Sequence, residues 1–374
     1  MAISDSRGNT SEKKRMICRV IRYLMLSLLA VVTLLIMCLP LLPSAIAGYI
    51  TLISFCAIPL FFITLLTLFL MWRHKKERYI LLFLLALSLT YLHPYIPLTS
   101  FHFSSLEERQ VPGTLTVVSW NADNFQLSED TLRAAVQTIT HLHPDIICLQ
   151  ERPHTSLLDI AKIKSALHDY PYMVTNSRED EILNVIVFSR FPLSHPQSHY
   201  FTHTFNKYLS VDVHLPQTIS PKIPRLRLYD IHLQTTGLND HEDGSTGSFW
   251  QRILLPFRAN SIVRNRQADH IAADIARSPY PVIVCGDFND IRTSYAYRTV
   301  ANRLEDTYGG LATSYTYHIA SLSQRLAKIT HCNTVPVKID HILVSSPLKP
   351  SFYEQLSFSS GDHRIQCAVI RIPQ

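Results

Sequence analysis

The chain of 374 residues is short of several things that would identify a simple class. It holds 10 glycines and shows no repeat of fixed period, which excludes collagen-like and solenoid architectures. Charged side chains make up 17% of it, and the mean hydropathy is +0.09, so it is not a disordered, self-repelling tail. Seven cysteines are too few and too scattered for a disulfide scaffold. Cys18, Cys38 and Cys56 fall in apolar runs, Cys148 and Cys285 in strand-like runs, and Cys332 and Cys367 near the end. Buried free thiols are the expectation, with a Cys332–Cys367 bridge as the alternative. No pair of cysteines has zinc-ligand spacing.

A basic surplus is also missing from most of the chain. Residues 1–100 carry ten Lys/Arg and three acids, a net of +7, which leaves 25 basic and 26 acidic residues for 101–374. The formal charge of +6 therefore belongs to the N-terminal part, and the rest advertises no cationic groove for nucleic acid. Arg252, Arg258, Arg264 and Arg266 could cluster locally, or form the solvated face of a helix.

The N-terminal part does contain long apolar runs. Tyr23–Leu42 and Tyr49–Trp72 lack any charged side chain, and each exceeds the roughly 20 helical residues that cross a bilayer. Tyr79–Leu98 is a third, weaker run, interrupted by Pro94 and Pro97. Basic residues precede the first run and recur in Arg73–Arg78, while 43–48 has none. The positive-inside rule then places the N-terminus and 73–78 in the cytoplasm. Three spans (23–42, 49–72 and 79–98) would make 1–100 a multi-pass anchor in the inner membrane, with lipid as its partner. The residues beyond the 101–112 linker would face the periplasm. Ala45-Ile46-Ala47 also resembles a signal-peptidase site, and failure of 79–98 to cross would reverse the orientation.

From 113 to 374, short apolar runs alternate with helically spaced segments. Leu115–Trp120, Asp145–Leu149, Leu183–Phe188, Leu209–His214, Leu226–His232, Val282–Cys285, Ile339–Val344 and Gln366–Ile370 read as strands. Ser128–Leu142, Thr155–His168, Arg258–Arg277 and Thr293–Leu304 read as helices, Ser128 being a plausible N-cap. The fold class is α/β, one domain with a substantial sheet core. Gln234–Phe257 lacks periodicity, and its Phe249, Trp250 and Arg252 suit either a substrate wall or loop packing.

Polar residues sit where these strands end. Asn121 follows the first, Gln150-Glu151 the second, His232 ends the fifth, and Gly286-Asp287-Phe288-Asn289-Asp290 follows the sixth. Asp340-His341 opens the seventh, and Gly361-Asp362-His363 precedes the last. Any one of these is more often a turn former or a satisfied structural histidine than a ligand. Six strand ends sharing oxygen-rich chemistry carry more weight than one. Carboxylates and amides suit Mg²⁺, with Mn²⁺ as the alternative, and two histidines beside them suit attack of water on a phosphoester.

In that order, Trp120-Asn121, Gln150-Glu151, His232-Leu233, Gly286-Asp287-Phe288-Asn289, Asp340-His341 and Asp362-His363 resemble the endonuclease/exonuclease/phosphatase superfamily over about 113–371. Ser314-Tyr315-Thr316-Tyr317 resembles the Thr-Tyr element of bacterial members. The chain departs from the usual pattern in having Gly361 before Asp362 and no proline after His363. The resemblance implies a DNase I-like, two-sheet α/β sandwich and a metal-dependent phosphoric ester hydrolase. It implies Mg²⁺ on Asn121 and Glu151 with Asp362 close by, and His363 as general base oriented by Asp340. Asp287 and Asn289 would position water and phosphate, and His232 would stabilise the pentacovalent phosphate or assist the leaving group. The substrate would be a nucleic acid or a lipid headgroup, and no protein partner is implied. A membrane-tethered scaffold that kept only the fold would be expected to have lost site residues, whereas every position is filled.

Overall fold

The computed structural model describes residues 3–95, 111–123, 125, 128–152, 160–175, 184–237, 251, 254–308, 313–318, 334–358 and 361–374. Four helices come first: α1 (Ile3–Cys38), α2 (Ser44–Ile50), α3 (Ala57–Leu70) and α4 (Lys75–Leu92). Next come β1 (Thr114–Asn121), α5 (Glu129–His141), β2 (Ile146–Arg152), α6 (Ile160–Ala166), β3 (Tyr172–Thr175), β4 (Asn184–Ser189), β5 (Leu193–Tyr200), β6 (Lys207–His214) and β7 (Arg225–His232). The chain continues through α7 (Leu255–Ile275), β8 (Val282–Asp287), α8 (Tyr295–Val300), β9 (Leu304–Asp306), β10 (Tyr315–His318), β11 (Thr334–Val337), β12 (Asp340–Ser345), β13 (Lys349–Leu356) and β14 (Ile365–Arg371).

Two six-stranded mixed sheets form the expected sandwich. One runs β13-β14-β1-β2-β4-β3 and the other β5-β6-β7-β8-β12-β9, with β10-β11 a separate ribbon. Each sheet has one parallel pair, β1 with β2 and β7 with β8. A parallel pair requires a crossover, here α5 and α7, which cover the outer faces. Between the sheets pack Leu115, Val117, Cys148, Val187, Leu228, Ile283 and Ile342, all fully buried. Each such aliphatic side chain contributes about 1.5–3 kcal/mol on burial. The outer faces bury Leu132 and Ile139 of α5 against the first sheet and Ala268 and Ile271 of α7 against the second.

All eight predicted strands form, and α5 is capped as expected, with the Thr131 amide donating to Ser128 Oγ at 3.3 Å. Thr293–Leu304 is shorter than its periodicity suggests. The Ser294 hydroxyl caps α8 on the Tyr297 amide, and Leu304 leaves to pair with Ser345. The helix predicted over Thr155–His168 appears as α6, with 155–159 outside the described residues. Cys148, Cys285 and Cys367 are buried, but Cys18 and Cys56 are exposed on the N-terminal helices, contrary to expectation. Cys332, most of the linker, and Phe249, Trp250 and Arg252 lie outside the described residues.

The N-terminal helices pack on one another through Leu26, Leu29, Ile36, Leu60, Leu68, Leu81 and Leu84. They leave Leu24, Leu28, Phe62, Leu66, Phe69 and Phe83 exposed, an apolar outer surface. Among the described residues, two stretches, Glu12–Leu41 and Ser44–Leu70, are long and apolar enough to cross a membrane. The third run, Tyr79–Leu98, is helical to Leu92 within α4, whose first turn is charged; residues 96–98 lie outside the described residues, and the described part does not meet that length and apolarity.

Candidate active site

Both crossover units deliver the carboxyl ends of their parallel strands to one end of the sandwich, where an α/β sheet leaves a crevice. From β1 and β2 come Asn121 and Glu151, and from β7 and β8 come His232 and Asp287, which are register partners. The local backbone is unusual at each approach. A bulge in β2 between Leu149 and Arg152, with Glu151 at φ 51°, lets two consecutive side chains face inward. Gln150 thereby donates to Asp230 Oδ1 at 2.6 Å, while Glu151 reaches the site. Gly286 has φ 133°, and a Cβ there would lie 2.0 Å from the Ile231 carbonyl oxygen, so only glycine lets β8 approach β7 before Asp287. Asn289 is also left-handed (φ 51°), its amide donating to Asp287 Oδ1 at 2.7 Å and its side-chain NH₂ to the Leu233 carbonyl at 3.0 Å. Non-glycine residues in this conformation concentrate where surroundings hold a site rigid.

The groups interlock across the sheets. Asn121 Nδ2 donates to Glu151 Oε1 (2.9 Å) and Asp287 Oδ2 (3.1 Å). His232 Nε2 lies 3.2 Å from Glu151 and 4.0 Å from Asp287. His363 turns Nδ1 to Asp340 at 3.0 Å and Nε2 to Asp287 at 3.7 Å. Asp340 is fixed in turn by Ser314, whose hydroxyl accepts the amides of Ile339 and Asp340. Trp120 Nε1 donates to the His363 carbonyl at 3.2 Å.

Burial disfavours charge on Glu151, His232, Asp287 and His363, and their neighbours decide the outcome. Glu151 is nonetheless held at about 2, chiefly by the bond and charge of His232, with Asn121 and His363 adding. His232 is raised because Glu151 and Asp287 outweigh its burial. Burial and the neighbouring Asp340 push Asp287 up to about 6, despite His363 and His232. His363 rises to about 10 against its burial, driven by Asp340 and Asp287 and then by Asp362. The acids thus hold positive charge on both imidazoles, which is the setting a small hard cation would relieve.

Among the described residues, two triads have ligand atoms close enough for one ion: Glu151–His232–Asp287, and Asp287–Asp340–His363. Asp287 belongs to both. Asp362 is half-exposed and 3.9 Å from His363 Nε2, outside both triads, and the Asn121 amide oxygen accepts the Asp123 amide at 3.1 Å. Two residues to which the sequence assigned no role also line the site. Asp123 is pushed up to about 6 by burial and by the charges of Asp362 and Glu151. Tyr315 packs its ring 4.6 Å from that of His363 and bridges to it through the backbone. Asp123 lies two residues past a strand end already singled out, so the same pattern could have found it; Tyr315 had only the Thr-Tyr resemblance.

The sequence profile described as Endonuclease/Exonuclease/phosphatase family matches residues 118–363. The chain belongs to this family. It is a phosphoester hydrolase, and family members depend on a divalent metal, for which the acid–histidine cluster offers donors. A humanized zebrafish (D. rerio) TDP2 structure is 17% identical with a TM-score of 0.50, covering 69% of this chain and 99% of that one. The endonuclease/exonuclease/phosphatase from Bacteroides vulgatus is 16% identical with a TM-score of 0.49, covering 70% and 99%. The human Nocturnin catalytic domain with bound sulfate is 16% identical with a TM-score of 0.47, covering 70% and 94%. No curated protein matches. Gly361, where family members usually carry Ser, would place a Cβ 3.4 Å from Trp120 Cζ2, an ordinary contact. The strand after His363 forms in full without the usual proline.

Proposed function

We propose that the chain is a membrane-anchored, Mg²⁺-dependent phosphoesterase, with 1–100 as anchor, 101–112 as linker and 113–374 as catalytic domain. One observation carries the reading: Glu151, His232, Asp287, Asp340 and His363, from separate strand ends, form a single connected cluster. Glu151 and Asp287, with Asn121 and Asp362 at the margin, would hold the ion, whose chemistry is to neutralise phosphoryl charge. With a cation balancing the neighbouring acids, His363 would be neutral with Nδ1–H engaged by Asp340, leaving Nε2 to take the proton of the attacking water. Asp287 and Asn289 orient water and phosphate, and His232 donates to the developing charge.

The anchor reading is supported by where the catalytic domain sits. Arg22, His74 and Glu77 cluster at the basic end of the helix bundle. The catalytic domain touches the opposite end, where Arg298 donates to the Ile36 carbonyl and Thr293 to that of Ser54. With the basic end in the cytoplasm, the catalytic domain faces the periplasm. Arg292 lies over the Tyr95 ring, which favours α4 as a third span returning to that side. A phosphoester presented at the bilayer surface is favoured over nucleic acid. Arg264 is buried on Asp290 and so is not available to a cationic groove, and Arg258 is drawn onto the Tyr49 ring.

The test is hydrolysis by the detergent-solubilised full chain, with and without Mg²⁺, of lipid phosphoesters, plasmid DNA, RNA and a generic phosphodiester. Mg²⁺-dependent turnover that His363→Ala and Asp287→Ala abolish supports the reading. Equal rates in all three proteins favour the scaffold alternative, and preferential cleavage of DNA or RNA overturns the lipid preference.

A further inference from the structure

The segment that joins α1 to α3, with α2 inside it, does more than connect them. Ala47 and Gly48 of α2 are buried, and a Cβ on Gly48 would lie 2.4 Å from Ile262 Cγ1 and 2.9 Å from the Ile262 backbone. Glycine here allows α2 to lie directly on α7. Asn265 Nδ2 donates to the Ser44 carbonyl at 3.0 Å, and Phe55 meets Phe257 edge-on at 5.6 Å. Thr293 Oγ1 donates to the Ser54 carbonyl at 2.9 Å, while Leu39 and Ala47 pack on Tyr295.

The elements so gripped are the ones that hold the active-site backbone. Arg264, fully buried on α7, donates to Asp290 Oδ2 at 2.9 Å and to the Gln234 carbonyl at 2.9 Å. Asp290 directly follows Asn289, and Gln234 lies two residues past His232. Gln267, also on α7, accepts the Gln234 amide at 2.8 Å. One face of the N-terminal half of α7 therefore meets the anchor, and another fixes the two segments that leave β7 and β8.

We infer that the face of residues 39–56 turned toward α7 and the 290–293 segment is a positioning surface for the active site, holding the register of His232 against Asp287 and Asn289. This rests on the phosphoesterase reading above. The anchor is then a working part of the catalytic unit, and loosening it misplaces reacting groups without touching them. Misplacement by about 1 Å can cost up to a hundredfold in rate.

The experiment uses the full chain in detergent with Mg²⁺ and a small soluble phosphodiester. It compares wild type with Gly48→Leu, with the double variant Phe55→Ala/Asn265→Ala, and with Leu41→Ala, whose side chain is 82% exposed in the same segment. Gly48→Leu is expected to lower kcat about tenfold, with KM within about twofold of wild type. The double variant should lower kcat less, in the same direction, and Leu41→Ala should match wild type. The double variant decides if Gly48→Leu fails to fold. Wild-type kcat in Gly48→Leu and the double variant, or an equal loss in Leu41→Ala, overturns the inference. No turnover by wild type on any phosphoester refutes the proposed function and this inference with it, whereas turnover matched by the interface variants refutes the inference alone.

Discussion

His363 is held between two carboxylates, its Nδ1 3.0 Å from Asp340 Oδ2 and its Nε2 3.7 Å from Asp287 Oδ2. The two acids have different consequences. Asp340 faces the nitrogen that cannot reach the reaction, so it fixes the tautomer and basicity of the nitrogen that can. Replacing Asp340 by Asn keeps the shape but removes the charge. Turnover is expected to fall about 10²–10⁴-fold. Asp340 is also a main cause of the elevated His363 pKa, opposing its burial. Without that charge His363 loses its proton at lower pH, so the acidic limb of the kcat profile should move toward acid. A limb that stays in place would show that another group serves as the base.

Glu151 is ionised far below neutrality, held at about 2 by His232 despite its burial. That makes it a permanent anionic donor beside Asp287. Chelation by EDTA should abolish activity, and Mg²⁺ should restore it. Glu151→Gln should raise the Mg²⁺ concentration for half-maximal activity about 10–100-fold, the range seen when support of a metal site is removed. An unchanged Mg²⁺ requirement would place the ion elsewhere.

Burial decides how much of this was legible in the sequence. The eight strands evident there are the interior strands of the two sheets: β14, β1, β2 and β4 in one, β6, β7, β8 and β12 in the other. Covered on both faces, they carry continuous apolar runs. The four edges, β13, β3, β5 and β9, left no such signal because an edge strand need not be apolar. β5 reads Leu-Ser-His-Pro-Gln-Ser-His-Tyr and is largely exposed. The site residues were visible because each terminates an interior strand. Their pairing was not. Nothing in the sequence indicates that Asp287 faces both His232 and His363, or that Asp362 lies outside the triads, because those relations arise only when the sheets are stacked. The contact between α2 and α7 was equally hidden, since Gly48 and Ile262 are neighbours only in space.

The glycine of Gly286-Asp287-Phe288-Asn289 is a geometric necessity. Its φ of 133° is unsuited to an L side chain, and a Cβ would strike the Ile231 carbonyl, a backbone atom that cannot move aside. Gly286→Ala should destabilise the fold by about 3 kcal/mol or more. It should also lower activity more than stability loss explains, since it separates His232 from Asp287. Thermal unfolding followed by circular dichroism gives the first quantity. An unfolding midpoint within about 1 °C of wild type would contradict the strain assignment, because 1 kcal/mol shifts a domain of this size by about 2–4 °C.

Asp230, beneath the site, offers a test of stability that does not involve catalysis. It is fully buried, its Oδ1 accepts from Gln150, and burial raises its pKa well above the ordinary value, the Gln150 bond opposing. The folded protein therefore keeps a proton that the unfolded chain gives up near pH 4. Stability from this group is fully present below that pH and is lost progressively as pH rises toward the folded-state pKa. The slope approaches about 1.4 kcal/mol per pH unit, the limit for one proton. Asp230→Asn has the same shape and no charge to bury. Relative to wild type it should gain stability steadily from pH 5 to pH 8, with the two curves converging in acid. Urea unfolding of the full chain in detergent at several pH values measures this. Parallel curves would mean that Asp230 stays ionised in the folded protein, with Gln150 alone compensating its burial.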